Sequence, residues 1–200
     1  MREPETLTFA RPGGGRLHVG PDALAAVRSY RQTAPDDMEA GGVLLGRYLL
    51  GSPDVVVDRV TTPLPGDRRT RTSFYRHHAG HQALIDQAWT ESGGRCAWLG
   101  EWHTHPEPSP APSWVDRRDW RRRLKRDVYD EVLFFLIVGT QSTSAWEGKP
   151  PRHITLLDNA EISTEPTQGQ RVVEEARDAE TKDGPPLRPA RAVGPGRGAL

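Results

Sequence analysis

The sequence contains only one cysteine, Cys96, among its 200 residues. A disulfide framework needs at least two cysteines, so an internal one is excluded, and so is a zinc site built from several thiolates. We therefore expect a reducing compartment. Any metal bound by this chain must take its ligands from histidine, aspartate or glutamate.

Long hydrophobic runs and net charge are also lacking. No stretch reaches the about 18 apolar residues of a transmembrane helix, and the N-terminus lacks the basic-then-apolar order of a signal peptide. The 27 basic and 27 acidic side chains cancel, so no overall field favours nucleic acid or an anionic membrane. These absences predict a cytoplasmic protein that binds neither nucleic acid nor membrane.

Aromatic residues are absent from residues 159–200, where ten of the 42 residues are proline or glycine. Such a segment cannot bury enough apolar surface to offset the entropy of ordering it. We therefore predict a folded domain over residues 1–158 and a disordered C-terminal tail over residues 159–200.

Strand and helix patterns alternate before residue 158. Helices are predicted over residues 21–31, 77–91 and 113–126. Strands are predicted over residues 7–9, 16–19, 42–50, 54–61, 71–75, 96–102, 132–138, 144–146 and 153–157. Because helices are interspersed among more numerous strands, the pattern indicates one α/β domain with a mixed sheet.

Two histidines at the end of an apolar strand suggest a metal site. His103 and His105 are two residues apart, so in an extended chain both side chains point to the same face. Asp116 follows after a proline-rich loop, in the first turn of a helix that Ser113 would cap. Two histidines and one carboxylate leave one position of a tetrahedral zinc open, which is typical of catalytic zinc.

A catalytic zinc site also needs a base and a group that stabilises the oxyanion. Glu39, which precedes Gly41 and a buried strand, is the candidate base, and Ser113 could donate to a developing oxyanion. Glu101 is a rival base, because strand alternation puts it on the histidine face. Each residue also has an ordinary interpretation, such as a helix cap or a solvated acid. Their joint occurrence in this order favours the site.

The order of Glu39, His103, His105, Ser113 and Asp116 resembles the motif of the JAMM (JAB1/MPN+/Mov34) metallopeptidases. The segment Gly-Glu-Trp-His-Thr-His-Pro at residues 100–106 is most similar to prokaryotic JAB proteins. Among those are peptidases of anti-phage cyclic-oligonucleotide signalling operons and of integrative elements. The resemblance implies a cytidine-deaminase-like α/β/α fold with a curved mixed sheet over about residues 5–158. It implies one Zn²⁺ bound by His103, His105 and Asp116, with Glu39 as base and Ser113 as the oxyanion stabiliser.

The resemblance also implies hydrolysis of a peptide or isopeptide bond, after the C-terminus of a ubiquitin-like or conjugated protein, as deconjugation or processing in an antiviral defence system. Two alternatives stay open: a non-catalytic MPN-type scaffold, and a metallohydrolase of a small amide or cell-wall peptide. Thr104 stands where serine is commoner, and the chain has no room for the long insertions of ubiquitin-specific relatives.

Other notable side chains have simpler interpretations. The basic run at residues 117–126 is either a solvated helix face or a docking patch for an acidic partner. Trp114 and Trp120 either pack in the core or face the substrate. The three histidines of residues 77–81 are predicted to lie on the surface, and Cys96 is predicted to pack as a small apolar residue.

Overall fold

The computed structural model describes residues 5–127 and 132–160. Its strands are β1 (Leu7–Ala10), β2 (Arg16–Val19), β3 (Gly41–Tyr48), β4 (Val55–Val60), β5 (Arg68–Thr70), β6 (Ser73–Tyr75), β7 (Ala97–Thr104), β8 (Leu133–Val138), β9 (Thr143–Lys149), β10 (His153–Leu156) and β11 (Asp158–Ala160). Within these described ranges the helices are α1 (Pro21–Arg28), α2 (His78–Glu91) and α3 (Trp114–Arg126). None of these helices is long and apolar enough to cross a membrane.

Nine strands form one mixed sheet in the order β10-β9-β8-β7-β3-β4-β2-β1-β11. The pairs β7–β8 and β2–β4 are parallel, and the remaining neighbours are antiparallel. Leu24 and Val27 of α1 pack on one face of the sheet, whereas Ile85 of α2 and Trp120 of α3 pack on the other. This arrangement confirms the predicted α/β/α fold with a mixed sheet.

The central strands are buried on both faces because their side chains are apolar at nearly every position. All six residues of β8 are buried, as its uninterrupted apolar run predicts. Helix α2 ends before Gly93 and Gly94, whose positive φ angles of 62° and 83° suit glycine. The Gly94 amide donates to the Trp89 carbonyl and closes the helix end.

The prediction of a surface position is wrong for His81. Helical periodicity places His81 on the same side of α2 as Ile85 and Ala88, and all three side chains are buried against the sheet. The imidazole is satisfied there, with Nδ1 2.6 Å from Thr61 Oγ1 and Nε2 3.1 Å from Asp67 Oδ2.

Two segments differ from the predicted boundaries. The predicted strand at residues 71–75 is instead the second half of the β5–β6 hairpin, which lies outside the main sheet. At the other end, β11 extends past residue 158 and pairs with β1, so Ala160 still belongs to the sheet. The rest of the predicted tail, residues 161–200, lies outside the described residues.

Candidate functional site

The two histidines of the motif converge at the end of β7. Strand alternation turns Trp102 and Thr104 into the core, where both are fully buried, and leaves His103 and His105 on the opposite face. The His105 amide donates to the Val138 carbonyl at 3.0 Å, which continues the pairing with β8 past the strand end. The two Nε2 atoms lie 3.1 Å apart.

Asp116 approaches these histidines from the first turn of α3. Ser113 caps the helix, because its Oγ accepts from the Asp116 amide and the Asp116 carboxylate accepts from the Ser113 amide. The same carboxylate lies 3.4 Å from His103 Nε2 through Oδ1 and 3.5 Å from His105 Nε2 through Oδ2. The cap therefore fixes the side chain that faces both imidazoles.

The loop between His105 and Ser113 is held by the β8–β9 turn. The Thr140 amide donates to the Glu107 carbonyl at 2.8 Å, and the Ser142 amide donates to the Pro108 carbonyl at 3.0 Å. Since prolines restrict the rest of this loop, few conformations remain open to it. The distance between the strand end and the start of α3 is fixed accordingly.

The three side chains fit a tetrahedral zinc ion. Ligand bonds of about 2.0–2.1 Å in a tetrahedron place neighbouring ligand atoms roughly 3.3–3.4 Å apart. The two Nε2 atoms of His103 and His105 are 3.1 Å apart, and they lie 3.4 and 3.5 Å from different oxygens of the Asp116 carboxylate, which is close to this spacing. Two imidazoles and one carboxylate are also a donor set that zinc accepts, with the fourth position left open.

Glu39 reaches this centre through strand pairing across 64 residues of sequence. In the β3–β7 ladder Gly41 pairs with His103, and the Thr104 amide donates to the Ala40 carbonyl at 2.8 Å. A ligand atom of Glu39 lies within 4.8 Å of ligand atoms of both histidines. Gly41 permits the close pairing of β3 with β7, because a Cβ there would lie 2.7 Å from the Trp102 carbonyl oxygen.

The electrostatics of the centre favour a bound cation. Burial raises the pKa of Glu39 to about 6, although His103 and His105 oppose the shift. Burial also disfavours a protonated His103, but Asp116 and Glu39 outweigh it and raise the pKa of His103 to about 9. Burial disfavours ionised Asp116 too, yet His103 holds the pKa of Asp116 well below its usual range. The field that stabilises a proton on His103 also attracts a metal ion.

The centre opens into a cleft of about 460 Å³ that continues to a charged wall. Glu101, the rival base, lies in this wall, where both its carboxylate oxygens are 2.9 Å from Arg123 Nε. Arg123 is buried, which departs from a solvated helix face, one of the two interpretations of the basic run. Sequence analysis missed this ion pair, although a signal for it exists. Glu101 lies two residues before His103, on the same face of the strand, and Arg123 lies seven residues after Asp116, on the same face of α3.

Of the other side chains singled out in the sequence, Trp120 and Cys96 lie in the core and Trp114 lies on the surface. Trp120 is buried and stacks on Phe135 with ring centroids 4.4 Å apart, whereas Trp114 is 68% exposed. Cys96 is buried as predicted, and burial raises the pKa of its thiol to about 11, so a reactive thiolate is disfavoured.

The fold and the motif agree with a known protein family. Residues 21–149 match the family model of the prokaryotic homologs of the JAB domain, and the chain belongs to this family. The predicted resemblance is therefore confirmed at the level of the family.

Individual relatives are enzymes by name. A CD-NTase/cGAS isopeptidase of Pseudomonas aeruginosa is 41% identical over 123 residues, which cover 62% of this chain and 77% of the relative. A protein of the same name from Escherichia coli is 34% identical over 143 residues, which cover 72% of this chain and 87% of the relative. A probable metalloprotease of Sinorhizobium fredii is 32% identical over 136 residues, which cover 64% of this chain and 80% of the relative.

Proposed function

We propose that this protein is a zinc-dependent isopeptidase that releases a protein from a conjugate by hydrolysing the amide after the C-terminus of the conjugated protein. The observation that carries the proposal is the convergence of His103, His105 and Asp116 within 3.1–3.5 Å of one another, with Glu39 buried beside them. The conjugated protein would be ubiquitin-like or, as the names of the isopeptidase relatives suggest, a CD-NTase. A role in antiviral defence is part of this proposal.

The donor set assigns a role to each side chain. His103, His105 and Asp116 would hold zinc, which polarises the amide carbonyl and activates a water when bound. Glu39 would take a proton from the attacking water and pass it to the leaving amine nitrogen. Its buried carboxyl, with a pKa of about 6, suits transfer in both directions near neutral pH.

Ser113 would stabilise the oxyanion that forms as the carbonyl is attacked. Its Oγ lines the cleft and lies 2.7 Å from Asp116 Oδ2. The hydroxyl donates its hydrogen to Asp116 in this arrangement, so donation to an oxyanion requires a rotation about the Cβ–Oγ bond of Ser113. The contribution of Ser113 should therefore be smaller than that of Glu39.

Metal content and turnover of purified variants test the proposal. Zinc-loaded parent protein is incubated with peptides attached through their C-terminus to a lysine Nε amine, and the released peptide is measured by mass spectrometry. Glu39→Gln should keep stoichiometric zinc and lose about 10²–10⁴ in rate. Failure of the parent to bind zinc would refute the metal assignment, and full activity of Glu39→Gln would refute the base assignment.

The same variants address the two alternatives. A non-catalytic scaffold predicts that parent and Glu39→Gln release no product from any conjugate. A hydrolase of small amides predicts faster release from short acyl-lysine compounds than from intact protein conjugates.

A further inference from the structure

The inner wall of the cleft holds two arginines, Arg123 and Arg76, and Arg123 makes much closer contacts with carboxylates than Arg76 does. Arg123 Nε lies 2.9 Å from both Glu101 oxygens, and Arg123 Nη1 lies 3.2 Å from Asp127 Oδ2. Arg76 contacts the same Glu101 only through Nη2, at 3.6 Å. The two carboxylates of the wall are thus bound mainly by Arg123.

Arg76 is left with unused hydrogen-bonding capacity in a buried position. Its side chain is 5% exposed, and its Nη1 has no hydrogen-bond partner among the described residues. A guanidinium offers five N–H donors, and leaving buried donors unpaired is unfavourable. Arg76 also lines the cleft that contains His103.

The charge balance around Arg76 favours an anion over a neutral acceptor. Burial and the neighbouring charge of Arg123 together lower the pKa of Arg76 to about 10, despite the opposing effect of Glu101 and Asp127. Since Glu101 is already neutralised by Arg123, it repels an incoming carboxylate only weakly. A carboxylate would pair with the planar guanidinium through two parallel hydrogen bonds.

We propose that Arg76 is a specificity-determining residue that binds a carboxylate of the chain being cleaved. The inference rests on the proposed function, because it takes the occupant of the cleft to be a peptide. The carboxylate belongs either to an acidic side chain near the scissile bond or to a free C-terminus. Both sources share the same chemistry, and the test distinguishes them.

Paired peptides provide the test. The probes are Nε-acyl-lysine peptides in which one position at a time carries Glu or its neutral isostere Gln, with the C-terminus either free or amidated. In the parent, one Glu position or the free C-terminus should raise kcat/KM by about tenfold or more, the effect of one charge-assisted hydrogen bond. In Arg76→Met this preference should vanish, so that the ratio of kcat/KM between the acidic and the neutral peptide falls to about one. Arg76→Lys should restore only part of it.

Binding gives a measurement that does not depend on turnover. Titration calorimetry on Glu39→Gln protein should show tighter binding of the acidic peptide, and adding Arg76→Met should remove the difference. If the parent cleaves no peptide, the proposed function fails, and this binding comparison still decides the role of Arg76. Equal binding of the acidic and neutral peptides by Glu39→Gln protein, or an acidic preference that survives the addition of Arg76→Met, would overturn the inference.

Stability separates a binding role from a structural one. Because Arg76 has few partners to lose, Arg76→Met should unfold at or above the Tm of the parent. Arg123→Met is the matched control, and it should lower the Tm, because it leaves Glu101 and Asp127 without their main partner. A lower Tm for Arg76→Met than for Arg123→Met would contradict the assignment.

Discussion

Thr104 offers the sharpest test of how the fold holds Glu39, the proposed base. This residue lies between the two histidines but points to the opposite face, where it is fully buried. Its Oγ1 accepts from the Ala40 amide at 2.9 Å and donates to Gln32 Oε1 at 3.0 Å. Gln32 in turn donates to the carbonyls of Asp37 and Arg71, so one hydroxyl connects β7 with the segments that flank Glu39.

Thr104→Val keeps the shape of the side chain and removes both hydrogen bonds. The Ala40 amide and Gln32 Oε1 are then left unpaired, and each buried unpaired group costs about 1–3 kcal/mol. The sum predicts a loss of roughly 2–6 kcal/mol in the free energy of unfolding. Thr104→Ser is the control, because it keeps the hydroxyl and loses one methyl group, at a cost of about 1 kcal/mol.

Urea unfolding of the parent and both variants measures these differences, provided that the m-values agree. The cleavage rate should also fall in Thr104→Val, because the Ala40 amide that loses its partner adjoins Glu39, the proposed base. If Thr104→Val unfolds within about 0.5 kcal/mol of Thr104→Ser, the hydroxyl has no bridging role and the reasoning is refuted.

Three further predictions concern the fold and the metal. Gly100→Ala should cost roughly 2–5 kcal/mol, because Gly100 has a φ of 149° and a Cβ there would lie 1.8 Å from the Phe134 carbonyl oxygen. Gly51→Ala, in open space at a φ of 72°, is the control and should cost less in the same unfolding assay. Burial lowers the pKa of His81 below its ordinary 6.5, so its contribution to stability is complete above about pH 6.5. That contribution is lost as the pH falls below this value, because the unfolded chain takes up a proton that folded His81 resists. The slope of unfolding free energy against pH should flatten in His81→Gln, and an unchanged slope would contradict the assignment. Zinc at about 100 times its Kd should add about 2.7 kcal/mol to the stability of the parent and much less to Asp116→Ala, as measured by thermal unfolding. Equal shifts in the two proteins would exclude Asp116 as a ligand.

Local patterns predicted much of the framework. The apolar run of β8 and the Ser113 cap each depend on a few neighbouring residues, and the structure confirms both. The β5–β6 hairpin was predicted poorly, because its short strands are exposed or half-buried and show no clear alternation. The surface position predicted for His81 was wrong, because its partners Thr61 and Asp67 lie on distant segments that only the fold brings together.

The sequence by itself determined which side chains could meet a metal from one strand and one helix start. The spacing of His103 and His105 and the cap that precedes Asp116 follow from the geometry of a strand and of a helix N-terminus. Only the tertiary structure decided that Glu39 lies beside them, since the register of β3 against β7 sets that distance. It also decided that Arg123 satisfies Glu101 and leaves Arg76 underpaired, because such competition exists only once distant segments share one wall.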